Sequence, residues 1–231
     1  MSSQTVIIAN PFARLGNNVE DIIEKGGFGA VLARAGVGKT ALLVQLALNH
    51  MLRNRNVLHI SLKDPVAKIS LWYKEIFNNL AEQNKVGNAQ EIWESLLPHR
   101  FIMTFKVEGF SVPKLEERLT DLTEQNVFCP DLVIIDGLPF DENVSAVLND
   151  LKKLPCQKMS FWFAVTTHRH EAPETSAMPP QMVPVANLFD IIIQLRPHER
   201  MIHVISLKGN TSTDESPLIF DPAAMILKEK S

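Results

Sequence analysis

The chain has 231 residues, 45% hydrophobic and 21% charged, with 23 basic against 26 acidic side chains and a formal net charge of −3. A length of this order suits one domain whose sheet is covered on both faces, without need of a second. The balance excludes a generally basic nucleic-acid binder, and no apolar run reaches the roughly eighteen residues of a membrane-spanning helix.

The start, Met1-Ser2-Ser3-Gln4-Thr5, lacks a basic and apolar leader, so a cytoplasmic protein is expected. Residues 1–16, with Val6-Ile7-Ile8 and Pro11, read as an N-terminal arm, and 17–231 as the domain. Asn17 to Lys25 suggests a helix stopped by Gly26-Gly27. Phe28-Gly29-Ala30-Val31-Leu32 then reads as a buried strand.

Ala33-Arg34-Ala35-Gly36-Val37-Gly38-Lys39-Thr40 follows, the pattern G-x-x-x-x-G-K-[ST] of a phosphate-binding loop with alanine in its first place. Its glycines let successive N–H groups turn toward phosphate oxygens. Lys39 adds a mobile positive charge and the Thr40 hydroxyl can ligate Mg²⁺. Ala41 to Leu48 continues with helix formers, and the helix aims its N-terminal partial charge at the same anion. ATP with Mg²⁺ is therefore the expected ligand, held by Ala33 to Ala41.

A strand-then-helix rhythm comes next. Val57 to Leu62 alternates as a strand, and Asp64-Pro65 opens a long helix with Trp72, Tyr73, Ile76, Phe77 and Leu80 on one face. A helix over Ala89 to Leu97, a strand over Phe101 to Phe105, and a helix introduced by Pro113 with the stripe Leu115, Leu119 and Leu122 follow. Leu132-Val133-Ile134-Ile135 reads as a strand buried on both faces, with Asp136 at its C-terminal end, where parallel sheets hold ligands. Asp136 is the metal partner that the loop requires, and with Gly137 it also suits a turn. Val144, Val147, Leu148 and Leu151 stripe another helix, and Phe161 to Val165 is the next strand. Such alternation predicts right-handed crossovers and a parallel sheet. Cys129 and Cys156 lack metal-ligand spacing and read as reduced core residues, and Trp72, Trp93 and Trp162 as core.

Residues 168–187 form a polar, proline-containing stretch too long for a routine connection. His168 and His170 in it read as solvated loop residues rather than ligands. Its one arginine, absent lysine and two glutamates argue against tight DNA binding. Three strands close the chain, Phe189 to Leu195, Met201 to Leu207 and Pro217 to Phe220, suggesting an antiparallel meander.

Taken together, Gly26-Gly27, the segment Val31 to Leu42, Val57 to Leu62, the Asp136 strand and Ile205-Ser206-Leu207-Lys208-Gly209-Asn210 make the chain resemble the RecA-like ATPases. Within them it is most similar to the motor core of DnaB-type replicative helicases and, more distantly, to KaiC-like proteins. The resemblance implies an α/β P-loop fold, a mostly parallel twisted sheet with helices on both faces and a C-terminal antiparallel meander. It also implies ATP and Mg²⁺ as ligands, a possible homo-oligomer and an unidentified protein partner. The helicases' primase-contacting domain has no counterpart in these residues.

Two departures bear on activity. Where the resembled enzymes carry Ser-Leu-Glu, with the glutamate polarising the attacking water, this chain reads Ser61-Leu62-Lys63-Asp64. A lysine does not accept a proton near neutral pH at its ordinary pKa. Asp64 suits either the base or, before Pro65, the helix N-cap, and the cap is the preferred reading. The helicase Lys-x-Arg finger survives only as Lys208, either a finger onto a neighbouring subunit or an exposed turn residue. Thr166-Thr167-His168 ends the fifth strand where such ATPases keep a polar sensor, with Thr167 the candidate.

Overall fold

Residues 23, 26–154, 159–167, 178–209 and 218–229 are described in the structure, a computed structural model. The arm over 1–16, most of the 17–25 helix, Cys156 and the His168-His170 stretch lie outside the described residues.

Nine strands form one sheet in the order β3-β2-β4-β5-β1-β6-β7-β8-β9. They are β1 (Phe28–Ala33), β2 (Val57–Ser61), β3 (Arg100–Thr104), β4 (Leu132–Asp136), β5 (Ser160–Thr166), β6 (Ile191–His198), β7 (Met201–Lys208), β8 (Leu218–Asp221) and β9 (Ile226–Glu229). The helices are α1 (Lys39–Met51), α2 (Val66–Gln83), α3 (Ala89–Leu96), α4 (Val112–Glu124) and α5 (Val144–Lys152). The sheet is mixed and mostly parallel with an antiparallel C-terminal side, as the resemblance implies.

Strand alternation sorts the core into two layers. Val31, Leu132, Ile134, Trp162 and Ile193 face α1, α2 and α3 on one side. Phe28, Leu32, Val133, Ile135, Phe163 and Ile192 face α4 and α5 on the other. The central strands are uniformly apolar because both of their faces are covered. Trp93 and Trp162 are buried, and Trp72 is half-buried against the first layer. No helix among the described residues is long and apolar enough to cross a membrane.

Three expectations are corrected. β6 is not the first strand of an antiparallel meander: it pairs parallel with β1, Gly29 opposite Ile191 and Leu32 opposite Gln194, so the direction reverses only at β7. A fourth C-terminal strand, β9, pairs with β8. Cys129 is exposed rather than part of the core.

Gly29 allows the closest packing between neighbouring strands. It lies opposite Trp162 on β5, and a Cβ on Gly29 would stand 2.5 Å from the indole ring. Gly29→Ala should therefore overpack the layer and destabilise the fold by about 1–3 kcal/mol, read as a lower denaturant midpoint at unchanged m-value.

Candidate nucleotide site

β1 ends at Ala33 and the chain turns through Arg34, Ala35 and Gly36, all exposed, into α1. Gly38 is the N-cap of α1 at φ 108°, a left-handed conformation that costs glycine nothing. It brings no capping side chain, and the first turn carries no acidic residue. The leading amides of α1 are thus left for an anion, with the helix dipole behind them.

Lys39 is 9% exposed and its ammonium folds back onto the loop, donating to the carbonyls of Ala33 and Arg34, each at 3.1 Å. Burial pulls its pKa down, with Asp136 opposing and Lys63 adding to the fall. The Thr40 hydroxyl donates to the Asp136 carboxylate at 2.5 Å, joining residues 96 positions apart. Ala41 is buried beneath them. The structure thus brings together Ala33 to Ala41 and Asp136 as a single site.

The register explains this convergence. β5 lies between β1 and β4, with Ala33 opposite Thr166 and Asp136 opposite Ala164. Asp136 continues the Leu132–Ile134 face, the side that packs on α1. Burial pushes its pKa above the ordinary carboxylate value, while the Thr40 hydrogen bond and Lys39 oppose the rise. Asp64 adds to the rise and Lys63 lowers it. Among the described residues no group of three or more His, Cys, Asp or Glu side chains is placed to hold a metal. Mg²⁺ would therefore be shared between Asp136, Thr40 and phosphate oxygens, which fits this donor set.

Lys63 stands at the rim of the site, exposed, its Cγ 3.0 Å from where a Cβ on Gly137 would lie. Asp64 is not the cap of α2: Pro65 occupies the N-cap position with extended backbone and no side-chain cap bond. The carboxylate instead accepts from Lys68 one turn on, at 2.8 Å, and the Asp64 N–H donates to the Ser61 hydroxyl at 2.9 Å.

Thr167 is buried, and its N–H donates to the Ala33 carbonyl at 3.0 Å, so the end of β5 braces the start of the loop. Alternation from Trp162 and Ala164 puts Thr166 on the face that carries Asp136. Thr166 is the residue that selecting Thr167 missed, and the period of two was the available signal.

Lys208 is not brought to the loop. It pairs with Ile192 at the start of β6 and donates to the Ala186 carbonyl at 2.8 Å. Three residues along β1 and two strands across separate it from Ala33, about 14 Å at ordinary sheet spacings.

The raised pKa of Asp136 has a signed consequence. The folded state holds this proton more tightly than the unfolded state, so the contribution to stability is present at low pH and is lost as pH rises from near 3.8 through the folded value. At neutral pH the charged Asp136 opposes folding. Asp136→Asn should raise the melting temperature of the ligand-free protein, by about 2–4 °C for each kcal/mol relieved, while abolishing magnesium-dependent binding. Thermal unfolding at pH 7 with and without nucleotide checks both.

Comparison with known proteins agrees with this geometry. The solved ATPase domain of a DnaB-like helicase shares the fold with a TM-score of 0.64 at 20% identity, over 90% of this chain and 86% of that chain. No curated protein matches the chain. The architecture is that of a RecA-like P-loop ATPase domain, related to the DnaB-type motor core. The AAA domain family matches residues 2–141, more than half of the sequence and including the loop, Thr40 and Asp136: the chain belongs to the AAA domain family.

Proposed function

We propose that this protein binds ATP with Mg²⁺ at the Ala33–Ala41 loop, hydrolyses it slowly, and uses nucleotide occupancy to control its assembly or its hold on a protein partner. The observation that carries the reading is the conjunction of an intact binding set with a cationic rim. Lys39, Thr40 and Asp136 meet in one place, while the position after Ser61-Leu62 is held by Lys63, close enough to act on the charge of both Lys39 and Asp136.

Lys39 leaves its two carbonyls to pair with phosphate, and the amides of Gly38 to Thr40 bind the same oxygens. Thr40 and Asp136 hold the metal, whose positive charge offsets that of the phosphates. Lys63 attracts the outermost phosphate without taking a proton from water, and a positioned base contributes about 10²- to 10⁴-fold to such reactions. Binding without rapid turnover follows. Lys208, too far from its own loop, supports assembly only through a neighbouring copy.

Asp64 sustains a second reading. Its carboxylate, freed from capping, is 31% exposed, pairs with Lys68, and is close enough to raise the pKa of Asp136. A base at this position would make the protein an active motor.

Titration calorimetry should show magnesium-dependent ATP binding, weakened roughly tenfold to a hundredfold in Lys39→Ala. Absence of binding by the unmodified chain would overturn the reading. Steady-state phosphate release should fall well below about 10 s⁻¹ and rise in Lys63→Glu. Fast turnover lost in Asp64→Asn would establish the second reading instead. Single-stranded DNA should not bind with submicromolar affinity at physiological salt, since the net charge is −3.

A further inference from the structure

The C-terminal hairpin meets the phosphate-binding loop through one aromatic ring. Phe220, on β8, is 0% exposed. A Cβ on Gly38 would lie 2.7 Å from its Cε1 and 3.3 Å from its Cζ, so the ring edge is pressed against the N-cap of α1. Val37, one residue earlier, packs against the same apolar cluster.

The hairpin behind the ring is fixed to the helices at separate points. The buried Gln45 side-chain oxygen on α1 accepts the Leu227 N–H at 2.8 Å. Asn79 on α2 donates to the Ala224 carbonyl at 2.9 Å. Within the turn, the Asp221 carboxylate accepts from the N–H groups of Ala223 and Ala224, at 2.9 and 3.3 Å, and from Lys228 at 2.7 Å. A ring mounted on such a block has little freedom to retreat, and close-packed interiors transmit such contacts.

We propose that Phe220 is a positioning residue for the phosphate-binding loop. Its edge limits how far Gly38 can swing, and so sets the direction in which the amides from Gly38 to Thr40 point. The inference deepens the nucleotide reading and rests on it. It adds that the C-terminal hairpin, which touches no phosphate, tunes affinity for a nucleoside triphosphate. Coupling of this kind is reciprocal: occupancy of the loop should protect the hairpin, with the Leu227 amide as reporter.

The test uses the full chain and Phe220→Leu, with Phe220→Met as the volume-conserving control. Without nucleotide, hydrogen exchange at amides 36–40 should quicken about fivefold or more in Phe220→Leu, while the β4 amides keep their rates. Affinity for MgATP should fall about tenfold, the protection that MgATP gives Leu227 should disappear, and Phe220→Met should restore both in part. Unchanged loop exchange, or exchange quickened equally in β4, would overturn the proposal by reducing Phe220 to an ordinary core residue. If the unmodified chain binds no MgATP but the loop amides still respond to Phe220→Leu, the positioning role stands and the nucleotide reading is what fails.

Discussion

The 2.5 Å hydrogen bond from the Thr40 hydroxyl to the Asp136 carboxylate joins the start of α1 to the end of β4 across an intervening strand. It requires α1 to begin where Thr40 falls in its first turn, and β4 to end with its odd carboxylate on the α1 side. It also requires β5 to space the two strands. The carboxylate is held in surroundings that favour its neutral form. Such a group is ready for a cation, because a metal relieves the cost of burying its charge. The site is in this sense less stable without its ligand, as functional sites often are.

The loop is poised in a similar way. Lys39 satisfies itself on two backbone carbonyls, each neutral exchange being worth about 1 kcal/mol against the stronger bonds that a phosphate offers. The cationic rim at Lys63 and the buried Lys39 lie on the same side of Asp136, so the field favours a dense anion more than a neutral ligand. Binding chemistry and the absence of a glutamate base therefore arise from neighbouring residues rather than from separate parts of the molecule.

Most of the sheet was legible because the central strands, buried on both faces, read as unbroken apolar runs from Phe28 and from Leu132. The loop was legible because phosphate binding demands residue types at fixed spacing. The errors fall where one residue of register changes the meaning. Thr166 and Thr167 differ by a flip to the opposite face. Asp64 lost its cap role because Pro65 itself takes the cap position. β6 looked antiparallel because no regular helix precedes it; only a 3₁₀ segment, Val183–Leu188, stands in the described part of the crossover. β9 is four residues long, too short for alternation to announce. The Phe220 contact has no local signature at all, since it depends on where the sheet carries a distant strand.

The bond between Gln45 and the Leu227 amide spans 182 residues, and this has a consequence for the newborn chain. At synthesis rates of about 5–20 residues per second, α1 waits roughly 10–40 s before the strand that covers part of it exists. During that interval the buried Gln45 oxygen lacks its donor, and Leu46 and neighbouring apolar residues of α1 lack the Leu218, Phe220 and Leu227 side of their layer. The half-made protein exposes an adhesive surface at the very helix that will carry the ligand, making this interval the one in which a chaperone matters most.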